Sequence, residues 1–323
     1  MSKDKNKEQQ AHDFLKNKFV DNSFEDIVPS NVDTNLGRTD LGSSNIQYMA
    51  IPLELLPCGN FYKAGTKISI RGAKVKEVQD YSVVDDKNYI DITDKMNGIL
   101  KSCVRFILPN GMNGSYKNIK DADRLYLIFM IRELTFPGGK NLSKEVTCSY
   151  CHNEFSIEFR STSSEEKPKT FINYEMPEKI SKFFDEYDRV YKIPIKDKNG
   201  QPVDWELAPP TIGLQEILFG DIKQKVQLEK EPNVSFLKVI PFQLHDRTDI
   251  TEDGIKSKER EYRNLDMTTF QILNQAINEM MFGIKELKID CPECGQEVRT
   301  DMSFPEGASS LFVISNALEQ LIG

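Results

Sequence analysis

The sequence is short of the residues that carry most enzyme chemistry. Of its 323 residues only three are histidine, His12, His152 and His245, and one is tryptophan. No HExxH and no GxSxG occurs, which removes the usual zinc-protease helix and the hydrolase nucleophile elbow. PGGK at 137–140 resembles the end of a phosphate loop, but Leu134 stands where its first glycine belongs and Asn141 where Ser or Thr belongs. Long hydrophobic runs are missing as well. The longest, Leu125–Ile131, is bounded by Arg124 and Arg132 and falls well below the roughly 18 residues a bilayer span needs, so it predicts a buried helix. The opening MSKDKNKEQQ has no apolar centre of a secretory signal. Basic residues are in deficit, 42 against 50 acidic, for a net charge of −8, which argues against a surface built as a whole for nucleic acid. These absences predict a soluble, non-catalytic protein of a reducing cytosol, with no membrane partner.

Cysteine is scarce too, six in all, and its distribution is the informative feature. Four lie in two CxxC pairs, Cys148 and Cys151 in VTCSYCHNEF and Cys291 and Cys294 in IDCPECGQEV. Each pair is flanked by strand-forming residues, Val146 before and Phe155–Ile157 after the first, Ile289 before and Val298 after the second. A CxxC in a tight hairpin turn is a zinc knuckle, and two knuckles supply the four thiolates of one tetrahedral, structural Zn²⁺. A thioredoxin-like redox motif would need CxxC to open a helix after a strand, whereas strands are expected on both sides here. Four unmetallated thiols are the remaining reading. In CPECG, Pro292 and Gly295 favour the turn; in the first knuckle His152 takes the glycine's place, so Asn153 is expected in the left-handed conformation. A zinc held by Cys148, Cys151, Cys291 and Cys294 would clip the start of the chain's second half to its end.

Along the chain, residues 1–45 are rich in Lys, Asp, Asn, Ser and Gln, a composition that cannot offset its own ordering entropy. They read as a flexible arm, with Phe14, Phe19 and Phe24 among the isolated apolar anchors that would seat it on a partner. An α+β core is expected over 46–160. It holds a strand in which Ile68 and Ile70 alternate with Lys67, Ser69 and Arg71, and the run Lys63, Lys67, Arg71, Lys74, Lys76 contains no acidic residue. That basic face is solvated, with Lys63, Lys67 and Arg71 as candidate contacts to an acidic partner. Two helices are predicted next. The first is capped by Asp94 and runs through Ile107; in it Cys103 packs as a small core residue. The second runs through KDADRLYLIFMIRELTF, with Asp121 and Asp123 in its first turn. Residues 161–286 are read as an inserted mixed lobe. It contains a hairpin turning at Asn199–Gly200, a helix from about Thr211, a charged stretch over 246–264, and a helix with Met267, Phe270, Leu273, Ile277 and Met280 on one side, ending near Gly283. The second knuckle and a short apolar helix fill 287–323. The fold expected is thus α+β, hairpins and helices around a zinc ribbon with an inserted lobe.

The segment LPCGNFYKAGTKISIRGAKVKEV, followed by DRLYLIFMIRELTF and a strand-flanked CxxC, resembles the baseplate hub proteins of contractile-tailed bacteriophages of the T-even type. IDCPECGQEVRTDMSF is similar to the second knuckle of longer members. The likeness runs from Pro52 to about Arg160 and resumes over Leu287–Phe304; Cys58 and His152 depart from the pattern. It implies a non-enzymatic virion or tail-assembly protein at the centre of a baseplate, bound to other phage tail proteins in a multi-subunit assembly. The rival from another class, a zinc-ribbon regulator that binds nucleic acid, would want basic and aromatic residues about the knuckles. The second instead carries Asp290, Glu293, Glu297 and Asp301 against Lys288 and Arg299.

Overall fold

The computed structural model describes residues 47–136, 142–159, 178–196, 200–227, 239–245, 251–280, 287–300 and 308–312. It opens with a three-stranded antiparallel sheet of β1 (Met49–Ile51), β2 (Lys67–Ile70) and β3 (Val104–Ile107), with β2 central. The register sets Ile51 opposite Ile68 and Ile68 opposite Phe106, so the alternating apolar residues share one buried face while Lys67 faces water. Between β1 and β2 the chain makes two 3-10 turns that bring Gly59 against the Leu53 carbonyl. A β-carbon at Gly59 would stand 1.9 Å from that oxygen. We expect Gly59→Ala to lower stability by about 1–3 kcal/mol, as over-packing against rigid backbone does. Urea denaturation checks this, and an unchanged midpoint would contradict the close approach.

Three helices pack on this sheet, α1 (Val75–Ser82), α2 (Tyr89–Cys103) and α3 (Arg124–Thr135). Helix α2 starts earlier than the sequence predicts. Asn88, not Asp94, caps it by accepting from the Ile90 and Asp91 N–H groups, and Asp94 lies inside the helix. It also stops at Cys103, which is fully buried as expected. The VRFI that follows was expected to be helical but pairs with β2 instead, because backbone pairing and a half-buried position for β-branched Val104 and aromatic Phe106 outweigh helical continuation. Helix α3 is buried nearly all round, Tyr126 through Ile131 being in the core, which is why its apolar run has no polar face.

A hairpin of β4 (Leu142–Thr147) and β5 (Glu154–Phe159) carries the first CxxC. Beyond it come the single turn α4 (Glu178–Ser181) and a second antiparallel sheet, β6 (Phe184–Asp185), β7 (Val190–Lys196) and β8 (Pro202–Leu207). The β7–β8 hairpin forms as predicted, with Gly200 at φ 78°. Thr211 then opens α5 (Ile212–Gln227), its hydroxyl accepting from the Leu214 N–H. Helices α6 (Ile240–Leu244), α7 (Glu252–Arg263) and α8 (Met267–Glu279) follow, then the hairpin β9 (Leu287–Asp290) with β10 (Glu297–Thr300), and a 3-10 turn at Ala308–Phe312. In α8, Leu273 and Ile277 are buried and Met280 follows them into the core. Met267 is 67% exposed, a correction to the predicted stripe: at the first position of the helix it lies beyond the core's edge. Gly283 lies outside the described residues.

The segment expected as an inserted lobe shares one hydrophobic core with the first sheet. Phe61 lies edge-on to Phe184 at 5.4 Å, the Asp121 N–H donates to the Pro210 carbonyl at 2.8 Å, and the Ile212 N–H to that of Ile119 at 2.8 Å. The last described turn joins the same core, Phe312 packing on Tyr81 at 5.0 Å while the Tyr81 hydroxyl donates to the Ala308 carbonyl. The expectation that helices surround the ribbon is corrected too. The knuckles have a small cluster of their own, Val146, Cys148, Ile157, Ile289, Cys291 and Val298, distinct from the main core. No helix among the described residues is long and apolar enough to cross a membrane.

Candidate metal centre

Both CxxC motifs sit where two antiparallel strands turn. In each, the first cysteine's N–H donates to the carbonyl five residues on: Cys148 to Asn153 and Cys291 to Gln296, both at 2.9 Å. In each, the first cysteine's carbonyl accepts from the residue four further, His152 at 3.0 Å and Gly295 at 2.9 Å. That turn requires a left-handed residue in the fourth place after the first cysteine. Gly295 takes φ 68° there, and His152 takes φ 58°. Asn153, expected to supply the left-handed residue, does not; the position in the turn, rather than residue preference, decides, and the His152 backbone bears the conformational strain that Gly295 avoids.

The two turns bring all four sulfurs within 4.8 Å of one another, with Cys148 Sγ 3.7 Å from Cys294 Sγ and Cys151 Sγ 3.6 Å from Cys291 Sγ. Four sulfurs on a tetrahedron about 2.3 Å from a central ion are separated by about 3.8 Å, so the spacing fits a tetrathiolate metal. It is far beyond the about 2.05 Å of a disulfide, and all four cysteines are free. Cys148 and Cys291 are buried, while Cys151 and Cys294 lie toward solvent. The knuckle N–H groups favour thiolate: that of Cys294 foremost, with that of Glu293, holds Cys291 down at about 6, and that of Cys151 foremost, with that of Tyr150, lowers Cys148. The Asn153 N–H also favours the Cys151 thiolate, but partial desolvation and the neighbouring sulfurs of Cys294, Cys291 and Cys148 outweigh it and push that thiol up to about 12. Without a cation the four sulfurs thus resist full ionisation; a divalent ion at their centre removes that resistance.

Beneath the sulfurs, Val146 and Ile157 from the first hairpin meet Ile289 and Val298 from the second, Val298 lying directly opposite Ile289 in the β9–β10 register. So few buried side chains make a weak core, and a metal is the kind of staple such a module uses.

The other predicted site residues fare differently. Phe14, Phe19 and Phe24 lie outside the described residues, as does PGGK at 137–140. Lys63 and Lys67 are exposed. Arg71 is not available to a partner: it is 7% exposed, and its guanidinium bonds both Glu77 carboxylate oxygens, at 2.6 and 2.9 Å, and the Ser102 carbonyl at 2.8 Å. That contact holds the Glu77 carboxyl down at about 2. Arg71 follows the last residue of β2, so strand alternation does not fix its direction, and Glu77 in the first turn of α1 draws it inward.

Two polar groups in the main core escaped the sequence reading. Asp123, expected to be a helix-dipole carboxylate, is fully buried and accepts from the Cys58 N–H at 2.8 Å and the Tyr62 hydroxyl at 2.7 Å. Asn97 is buried among Met96, Ile99 and Leu100 and donates to Glu216 at 3.0 Å. A polar residue on an apolar helix face was the available signal for it. Compared with protein-family models, with curated proteins and with solved structures, the chain matches none.

Proposed function

We propose that this chain is a structural or assembly component of a contractile bacteriophage tail baseplate hub, acting by binding other tail proteins and held in shape by one zinc ion. The observation that carries the structural part is the convergence of four sulfurs from two sequence-distant hairpins within 4.8 Å. Cys148, Cys151, Cys291 and Cys294 would hold the ion. Thiolates in a tetrahedral array suit Zn²⁺, which does no redox chemistry, and four protein ligands fill its shell with no position for a reacting water. The role follows as clipping β4–β5 to β9–β10 rather than catalysis.

The baseplate assignment is supported by the resemblance of Pro52–Arg160 and Leu287–Phe304 to hub proteins. The exposed carboxylates Glu293 and Glu297 on the second knuckle suit protein contacts better than a polyanion. Lys63 and Lys67 would steer an acidic neighbour, affecting the rate of encounter more than affinity.

Conditional deletion in the producing phage, read by electron microscopy of lysates, tests the reading. The expected result is tails without complete baseplates, or hub parts that fail to join. Normal infectious particles lacking this protein would overturn it, and tight sequence-dependent nucleic-acid binding by the purified chain would favour a zinc-ribbon regulator.

A further inference from the structure

The four sulfurs that suit a metal also stand in an order that suits oxidation. Two contacts cross between the hairpins, Cys148 Sγ to Cys294 Sγ at 3.7 Å and Cys151 Sγ to Cys291 Sγ at 3.6 Å. Each joins a cysteine that lies toward solvent, Cys294 or Cys151, to one that is buried, Cys148 at 0% and Cys291 at 2% exposed. A small oxidant therefore meets the outer sulfur first, while the inner one is sheltered and remains able to react with it. Each pair must close by roughly 1.6 Å, from those contacts to the about 2.05 Å of an S–S bond. The cluster beneath is small, Val146, Ile157, Ile289 and Val298 with the two inner cysteines, so little packing resists a shift of that size. Cys58 and Cys103 are fully buried in the main core, out of an oxidant's reach.

We infer that a hydroperoxide converts the metal clip into a covalent one, linking Cys151 to Cys291 and Cys148 to Cys294. This rests on the metal reading of the four cysteines and not on the baseplate role. The outer thiolate attacks one oxygen of hydrogen peroxide; the O–O bond breaks, hydroxide leaves and a sulfenic acid remains. The inner thiolate of the other hairpin then attacks that sulfur, and the S–S bond forms as a second hydroxide departs. Each disulfide thus consumes one peroxide, which takes the two electrons the thiolate pair gives up. A first disulfide removes two of the four ligands, so a bound zinc is released. The hairpins nevertheless stay joined, because both links run between β4–β5 and β9–β10. A thiol reductant reverses the step by exchange.

The test treats the full, zinc-loaded chain with hydrogen peroxide and follows zinc release with a chromogenic chelator. After acid quenching, the tryptic peptides 145–160 and 289–299, each carrying one whole CxxC motif, report the linkage by mass. They should appear joined, and further cleavage after Tyr150 and Glu293 should assign the two pairs. Zinc should leave in step with the linkage, and Cys58 and Cys103 should remain thiols. Exchange at the Cys148, His152, Cys291 and Gly295 amides should be about ten-fold or more slower in the oxidised chain than in chain stripped of metal by a chelator, since a cross-link restricts the open state. Adding reductant without zinc should abolish that difference. Any other pairing, disulfides inside one motif above all, would overturn the inference. So would sulfinic acids at Cys151 and Cys294 without a link, or four thiols surviving excess peroxide. A reduced chain that takes up no zinc would overturn the metal reading alone, and the linkage map would still decide the disulfides between hairpins.

Discussion

Purified chain should carry close to one zinc per molecule, and Cys148→Ser or Cys294→Ser should each abolish it. A structural zinc in a small module contributes on the order of 10 kcal/mol of apparent binding free energy at neutral pH, and that free energy becomes folding free energy where the surrounding core is slight. Here the surrounding core is the six-residue cluster, two of whose members, Cys148 and Cys291, would themselves be ligands. Loss of one thiolate should therefore release both hairpins, not only the mutated one. Hydrogen exchange should show the Cys148 and His152 amides and the Cys291 and Gly295 amides losing protection together, since these close the two turns. The main core should hold, because its buried residues form a separate cluster and its helices make no use of the metal. Far-UV circular dichroism should change little, and the principal thermal transition should shift far less than the ribbon's protection. Two zincs per chain, or metal retained by the double variant Cys291→Ser/Cys294→Ser, would rule out the shared site. Collapse of the whole chain on metal removal would rule out the independence of the two clusters.

What could be read from the sequence was local, and what could not was the identity of distant partners. The knuckles were legible because spacing, turn residues and flanking strands all lie within about ten residues. The buried α3, the β7–β8 hairpin and the start of α5 were legible for the same reason. Helix α2 departs from the expected bounds at both ends: Asn88 and Asp94 are both capping types, and only pairing of Val104–Ile107 with β2 decides that the helix stops at Cys103. The supposed lobe merged with the core because Phe184 and Tyr191 find Phe61, a contact that no local pattern announces. Arg71 turned inward for Glu77. In the site itself, the meeting of the four cysteines was readable and the first knuckle's strain was not, because it arises from turn geometry imposed on His152.

Replacing Asp123 with asparagine should change how stability depends on pH, and this is the second large effect expected. Asp123 is fully buried between the 3-10 turn at Gly59–Phe61 and the start of α3, its oxygens taking the Cys58 N–H and the Tyr62 hydroxyl. The same hydroxyl accepts from the Lys120 N–H at 2.9 Å, and Lys120 Nζ donates to the Pro209 carbonyl at 3.0 Å, so the carboxyl belongs to a network tying three segments together. Burial pushes its pKa up to about 7, against the opposing pull of those hydrogen bonds and of the Lys120 charge. The unfolded chain titrates near the ordinary aspartate value, about 3.9. A folded pKa above the unfolded one means that the native state binds the proton more tightly. The stability this confers is whole below about pH 4 and is lost as pH rises through about 7. Between pH 4.5 and 7.5 that loss amounts to about 3 kcal/mol at 1.36 kcal/mol per pKa unit. Glu77 and Asp185, both held down at about 2 by basic partners, act in the opposite sense but only below about pH 4.5, outside this window. Asparagine keeps one good acceptor and never ionises. Asp123→Asn should therefore be about 1–3 kcal/mol less stable than the parent at pH 4.5, where one hydrogen bond has lost its acceptor. By pH 7.5 the deficit should shrink to nothing or reverse, because the parent then holds an ionised carboxylate in its core. Urea denaturation of both chains at the two pH values provides the measurement, and taking the difference cancels groups common to both, including any acid release of a metal at the four cysteines. Parallel pH profiles for parent and variant would mean that the carboxyl ionises as readily when folded as when unfolded, and the buried network would then need a compensating cation nearer than Lys120.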